Sequence, residues 1–217
     1  MTVPTGSPTG SPTGSPPFDL PRGQLLLIGT GAIGVTNLPA WALSLRVECG
    51  WSVRACLTAA ADALVSRQAL AAITQAPVIG PGWDTALGQV PHQELAEWAD
   101  LVLVLPATVN FIGKLAAGIA DSLALTTVLN TAAPVVVAPS IPATALRRPA
   151  VRRNLRTLRD DGYTVAPRSP ALSVHAGETS DGWTSDLSTA IRAAHARLTA
   201  AAQGGSEPSG SEPGGTP

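Results

Sequence analysis

Cysteine is scarce in this 217-residue chain, its charges nearly cancel, and it has no long apolar run. Cys49 and Cys56 are the only cysteines, and each falls in an apolar context. They read as buried thiols of a reducing compartment rather than as a disulfide. A net charge of −1 leaves no electrostatic footprint for nucleic acid. No stretch reaches the ~18 apolar residues of a membrane span, and the start lacks a basic segment followed by an apolar one. The expectation is a cytoplasmic protein. His, Cys, Asp and Glu form no cluster with ligand spacing, so no metal is expected. No serine sits in a G-x-S-x-G elbow, which argues against hydrolase chemistry.

Proline, glycine and serine are plentiful, but chiefly at the ends. Residues 4–17, "PTGSPTGSPTGSPP", repeat TGSP, and the closing "GGSEPSGSEPGGTP" repeats GSEP. Such tracts bury too little apolar surface to offset their ordering entropy. Residues 1–21 and 204–217 are therefore expected to be disordered tails, flanking one domain over 22–203.

Between the tails, short apolar runs alternate with longer helix-like stretches. "QLLLIG" (24–29), "SVRACLT" (52–58), "LVLVLP" (101–106) and "PVVVAP" (134–139) suit strands buried on both faces. "YTVAP" (163–167) reads as a further strand. Residues 36–48, 60–73, 109–131, 148–160 and 185–203 suit helices. This rhythm predicts an α/β fold: a single-domain, Rossmann-like, doubly wound parallel sheet.

In such sheets ligands bind at the carboxyl edge. After the first strand comes "GTGAIG" (29–34), whose letters match G-x-G-x-x-G. A dinucleotide fold also wants an acidic residue near the end of the second strand. There the chain reads "CLTAAAD": Thr58 ends the strand and Asp62 comes a full turn late. The glycines still let backbone N–H groups approach a phosphate; a tight strand-to-helix turn without a ligand is the alternative. Thr58, and later Thr108 with Asn110, add hydroxyl and amide groups without charge. That set suits a planar, uncharged ring system with one phosphate better than a metal or a sugar nucleotide.

The block "HQELAEWADLVLVLPATVNFIGKLAAGIADSLAL" (92–125) resembles the homo-oligomeric flavin-containing cysteine decarboxylases. That family includes phosphopantothenoylcysteine decarboxylase and the peptidyl-cysteine decarboxylases of lantibiotic and related peptide biosynthesis. The matching pieces are His92 to Asp100, Pro106 to Ile112, and Gly118 to Leu123. The resemblance implies FMN, with FAD as the alternative, held by Gly29, Thr30, Gly31, Ala32, Thr58, Pro106, Ala107, Thr108 and Asn110. It implies His92 as the catalytic base, and imidazole is suited to proton exchange near neutral pH. It also implies a trimer-based homo-oligomer, up to a dodecamer, with flavin at a subunit boundary.

The departures are specific. Phe111 stands where family members place Thr, and "PSIPATA" (139–145) replaces a carboxylate-gripping P-x-M-N-x-x-M motif, with Ile141 and Pro142 for Met and Asn. Candidate substrate residues are therefore Asn110, Pro139, Ser140, Ile141, Arg147, Arg148 and, in "SPALSVHAGETSDGW" (169–183), His175. That stretch reads either as a loop able to close over substrate or as a plain surface loop. His195 reads as structural, and Trp41, Trp51 and Trp98 as core or subunit-contact aromatics. Arg147, Arg148, Arg152, Arg153, Arg156 and Arg159 crowd one segment, an arrangement that usually marks a solvated helix face.

The family chemistry oxidises a cysteine at Cβ by hydride transfer to flavin, giving a thioaldehyde from which CO2 leaves as an enethiolate forms. No Cys follows position 56, so no late thiol reduces the enethiol. This favours a precursor peptide with a C-terminal Cys as substrate and an aminoenethiol as product. Two alternatives stay open: a flavoprotein of the same fold acting on another cysteine-containing or small carboxylate substrate, and a non-catalytic flavin-binding scaffold.

Overall fold

The computed structural model describes residues 23–83, 90–172 and 179–204. Five parallel strands form its centre: β1 (Gln24–Gly29), β2 (Ser52–Leu57), β3 (Leu101–Thr108), β4 (Val135–Ile141) and the two-residue β5 (Thr164–Val165). Two further strands, β6 (Ser169–Leu172) and β7 (Thr179–Thr184), pair antiparallel, and β7 joins β4 antiparallel. The main path of the sheet runs β2-β1-β3-β4-β7-β6, with β5 also on β4.

Strand periodicity explains the continuous apolar runs. Successive side chains point to opposite faces, so Leu25 and Leu27 enter one core while Leu26 and Ile28 enter the other. In β3 the leucines 101, 103 and 105 face the first core and the valines 102 and 104 the second. Helices α1 (Leu38–Val47), α3 (Arg67–Thr74) and α9 (Leu187–Gly204) cover the first face. Helices α4 (Pro91–Trp98), α5 (Val109–Ala116), α6 (Leu123–Asn130) and α8 (Pro149–Asp160) cover the second. Each large apolar side chain buried this way contributes roughly 1.5–3 kcal/mol. The expected doubly wound sheet is present.

Several elements differ from the sequence expectation. The helix expected over 60–73 is two: a single turn, α2 (Ala59–Asp62), and α3, started by Ser66, whose hydroxyl accepts the Ala69 N–H at 3.2 Å. The stretch 109–131 is likewise split. Gly118, at φ +67°, follows α5, and the Ser122 hydroxyl accepts the Leu125 N–H to start α6. Stop and start signals of this kind interrupt an apolar periodicity that continues through them. The stretch 169–183, expected as a loop, contributes β6 and most of β7. These strands are joined to the sheet by pairing with each other and, through β7, with β4. His92 stands within the first turn of α4.

Chain order fixes where a ligand can enter. From β1 the chain crosses first to β2 on one side and later to β3 on the other. That reversal opens a crevice between the β1 and β3 carboxyl ends, the general ligand position in open α/β sheets.

Candidate functional site

A cavity of about 380 Å³ lies at this crevice, within the range of small-ligand sites. The turn after β1 supplies Thr30 and Gly31, the turn after β2 supplies Thr58, Ala59 and Ala60, and the β3–α5 junction supplies Thr108 and Asn110. Three strand ends far apart in sequence thus meet in one wall.

Buried Thr30 organises the crevice. Its hydroxyl donates to the Pro106 carbonyl at 2.6 Å and accepts the Thr108 N–H at 2.9 Å. Thr108 in turn caps α5, its hydroxyl accepting the Phe111 N–H at 3.3 Å. The Thr58 hydroxyl donates to the Gly29 carbonyl at 3.3 Å, a long bond. The exposed Asn110 amide lines the cavity and makes no side-chain hydrogen bond to any described residue, so its donors and acceptor are free there.

Gly31 sets the width of the cradle. A Cβ at position 31 would lie 2.4 Å from the Ala60 Cβ, closer than two carbons can approach. A side chain here would push the β1 turn away from α2. The glycine therefore serves close packing of the two turns. At the strand ends the donors left free are the Thr108 hydroxyl and the Asn110 amide, with backbone half-exposed at a glycine, and this set fits a phosphate-bearing planar ring.

Gly29, Ala32, Pro106 and Ala107 do not line the cavity; Gly29, Pro106 and Ala107 are buried behind it, and the Ala32 N–H is held by the Thr30 carbonyl at 2.8 Å. Pro139, Ser140 and Ile141 end β4, where Ala107 pairs with Pro139 and Thr108 with Ser140. They occupy the neighbouring stretch of the same edge without lining the cavity. Arg147 and Arg148 are exposed beyond α7 (Ala143–Leu146), also outside it. His175 lies outside the described residues. Asp62, which a dinucleotide reading would need, is paired with Arg67 at 2.7 Å.

His92 is half-buried and does not line the cavity. Its ring meets the Trp83 ring edge-on, 5.3 Å between centroids. Its Nδ1 is buried without a hydrogen-bond partner among the described residues, so nothing there fixes which ring nitrogen carries the proton. The helix that carries it feeds β3 and therefore begins on the carboxyl-edge side, where the cavity opens.

Sequence reasoning missed part of the wall. Phe111, Lys114, Asp121, Ser122 and Leu125 also line it, and Lys114 pairs with Asp121 at 2.5 Å. The cavity therefore carries an ion pair, although the strand ends carry no charge. One signal was available, since Lys114 follows Asn110 by four residues, one helical turn along the same face.

These features define an α/β protein with a ligand crevice at its strand-order reversal. A family model described as Flavoprotein matches residues 14–196, and the chain belongs to that family. It is 40% identical over 148 residues to the coenzyme A biosynthesis bifunctional protein CoaBC of Bacillus subtilis (strain 168), covering 66% of this chain and 36% of that protein. The chain thus spans only about a third of the length of that relative. Among solved structures it resembles the FMN-dependent cysteine decarboxylase SpaF, with TM-score 0.65 and 36% identity over 79% of this chain and 97% of that one. It also resembles TvaF, an FMN-dependent cysteine decarboxylase from thioviridamide biosynthesis, with TM-score 0.65 and 28% identity over 79% and 98% of the two chains.

Proposed function

We propose that this protein is an FMN-dependent decarboxylase of a peptide's C-terminal cysteine. The observation that carries the reading is the switch-point cavity, whose Gly31, Thr58, Thr108 and Asn110 match a phosphate-bearing ring. The likeness to SpaF along nearly the whole of that chain supports it. FMN held by Gly31, Thr58, Thr108 and Asn110 would supply the two-electron acceptor needed for oxidation at the cysteine Cβ. The chain's own groups do the rest. Asn110 offers an amide to the substrate, and His92 takes the thiol proton. With C=S formed β to the carboxylate, the C–C bond breaks, CO2 leaves, and its electron pair becomes the enethiolate. The peptide loses CO2 and two hydrogens.

His92 stands outside the cavity lining of one chain, so a homo-oligomer with flavin at a subunit boundary brings a neighbour's His92 to it. Exposed Ile33, Leu43 and Val47, around the start and outer face of α1, provide apolar surface for such a contact. No described helix is long and apolar enough to cross a membrane.

A second reading is decarboxylation of phosphopantothenoylcysteine, favoured by the 40% identity to CoaBC. The cysteines weigh against a reductive finish. Neither lines the cavity, and burial pushes the Cys56 thiol up to about 12, with nearby Arg67 opposing only slightly. The enethiol is then the end product.

Two measurements test the proposal. Heat-released supernatant should contain FMN by chromatography; colourless release, or NAD alone, would remove it. Incubation with a Cys-ending peptide should lower its mass by about 46 Da, the sum of CO2 and two hydrogens. Turnover of phosphopantothenoylcysteine but not of peptides would transfer the assignment to the second reading.

A further inference from the structure

A second concavity, about 630 Å³, runs along α8, away from the flavin crevice. Its rim is four exposed arginines, Arg152, Arg153, Arg156 and Arg159, and its apolar side includes Leu155 and Trp183. Spacings of four and three put Arg152, Arg156 and Arg159 along one helix face, with Arg153 one turn before Arg156 at its edge. Like charges so placed repel one another, and two of them sit near the N-terminal end, where the helix dipole is already positive. Helix α8, "PAVRRNLRTLRD", carries no acidic residue in its first turn, and its one carboxylate is the final Asp160. No described carboxylate forms an ion pair with any of the four arginines.

The groove is shaped as well as charged. Arg159 lies over the Trp183 ring at 5.4 Å, and the Trp183 indole N–H donates to the Ala166 carbonyl at 3.1 Å, which fixes the ring. Arg152 Nε donates to the Leu146 carbonyl at 3.2 Å, holding a second guanidinium at the rim. Trp183 pairs with Ile141 at the carboxyl end of β4, next to the β3 end that forms the cavity. The groove therefore starts one strand over from the cavity and leads away along α8. Twelve residues of helix span about 18 Å, the reach of about five or six extended residues.

We infer that this groove docks an acidic segment of the peptide substrate, lying upstream of the cysteine that enters the cavity. The inference rests on the peptidyl-cysteine reading above. Arg153 and Arg156 have no partner among the described residues, while Arg152 and Arg159 are each held by a backbone carbonyl. All four recognise carboxylates by charge, the first two also by bidentate hydrogen bonding, and half-buried Trp183 offers an apolar surface beside them. Recognition is set by the acidity of the peptide and by salt.

The test uses the full-length flavin-loaded protein and a fluorescein-labelled peptide of alternating glutamates and one phenylalanine, followed by anisotropy. Wild type should bind it, weakening roughly tenfold between about 50 and about 500 mM salt. R153E/R156E should bind it at least about tenfold less, while keeping flavin absorbance and oligomeric mass. R153Q/R156Q should fall between, which guards against misfolding of the charge-reversed variant. In turnover, a Cys-ending peptide with this acidic extension should show a KM lower than the unextended peptide in wild type, and the two should converge in R153E/R156E. Equal probe binding by wild type and variant would overturn the inference. So would no binding by wild type, a changed oligomeric mass in the variants, or a nucleic acid of equal charge that binds more tightly. Failure to decarboxylate any peptide while probe binding still depends on Arg153 and Arg156 would instead sink the peptidyl-cysteine reading.

Discussion

The Thr30 hydroxyl bridges to the carboxyl end of β3, donating to Pro106 and accepting the Thr108 N–H at 2.9 Å. One buried side chain thereby joins the two strand ends between which the cavity opens. Thr30→Val keeps the shape and strands both backbone groups without a partner. Leaving such groups unsatisfied costs about 1–3 kcal/mol. Chemical denaturation should show that loss, together with weaker flavin retention on gel filtration; unchanged stability would mean water replaces the hydroxyl.

Gly31 and Ala60 make a compensating pair. Gly31→Ala would place two Cβ atoms 2.4 Å apart, so the purified variant should lose its yellow colour. Gly31→Ala with Ala60→Gly removes the opposing carbon and should recover flavin. If the double variant stays colourless, the glycine serves the ligand directly rather than the spacing of the two turns.

His92→Asn should remain yellow, because the groups read as holding the flavin lie at the three strand ends rather than at position 92. Peptide decarboxylation should fall by about 10²–10⁴ if His92 is the base. A variant working at the wild-type rate would place the base elsewhere, with His175 the next residue to change. Loss of colour would instead assign His92 to folding or flavin binding.

Asp186 caps α9, its carboxylate accepting the Thr189 N–H at 2.7 Å and the Ser188 hydroxyl at 2.9 Å. Burial pulls its pKa upward, but the hydrogen bonds from Thr189 and Ser188, with Arg192 nearby, hold it below the ordinary value of 3.8. A lowered folded value means the cap's contribution is present above 3.8 and disappears as pH falls through that lowered value. Asp186→Ala should cost about 1 kcal/mol near neutral pH. Thermal melts of the two proteins should converge in strong acid. A gap that persists there would show that the carboxylate charge is not what caps the helix.

Much of this molecule was legible in its residues. Apolar runs placed β1 to β4 within a residue or two, because a strand buried on both faces has no polar alternation to blur it. Gly31, Thr58, Thr108 and Asn110 could be singled out as candidates for one cavity wall because each stands at the end of such a run. Caps were harder: Ser66 and Ser122 break helices that apolar periodicity alone would continue, and a short serine signal is easily outweighed by a long apolar one.

What local pattern cannot contain is which strand ends become neighbours. The β2-β1-β3-β4 order brings residues 30, 58 and 108 into one wall, and helix packing adds Lys114 and Asp121 from α5 and its following turn. The antiparallel β6–β7 pair exists through partners already in the sheet, so its polar sequence carried no strand period to read. The arginines of α8 were visible as a run, but only β7, arriving from later in the chain, sets Trp183 beside them and turns a charged face into a groove. Sequence period fixes an element and its buried face; long-range pairing decides which exposed groups meet, because that free energy belongs to contacts between distant residues.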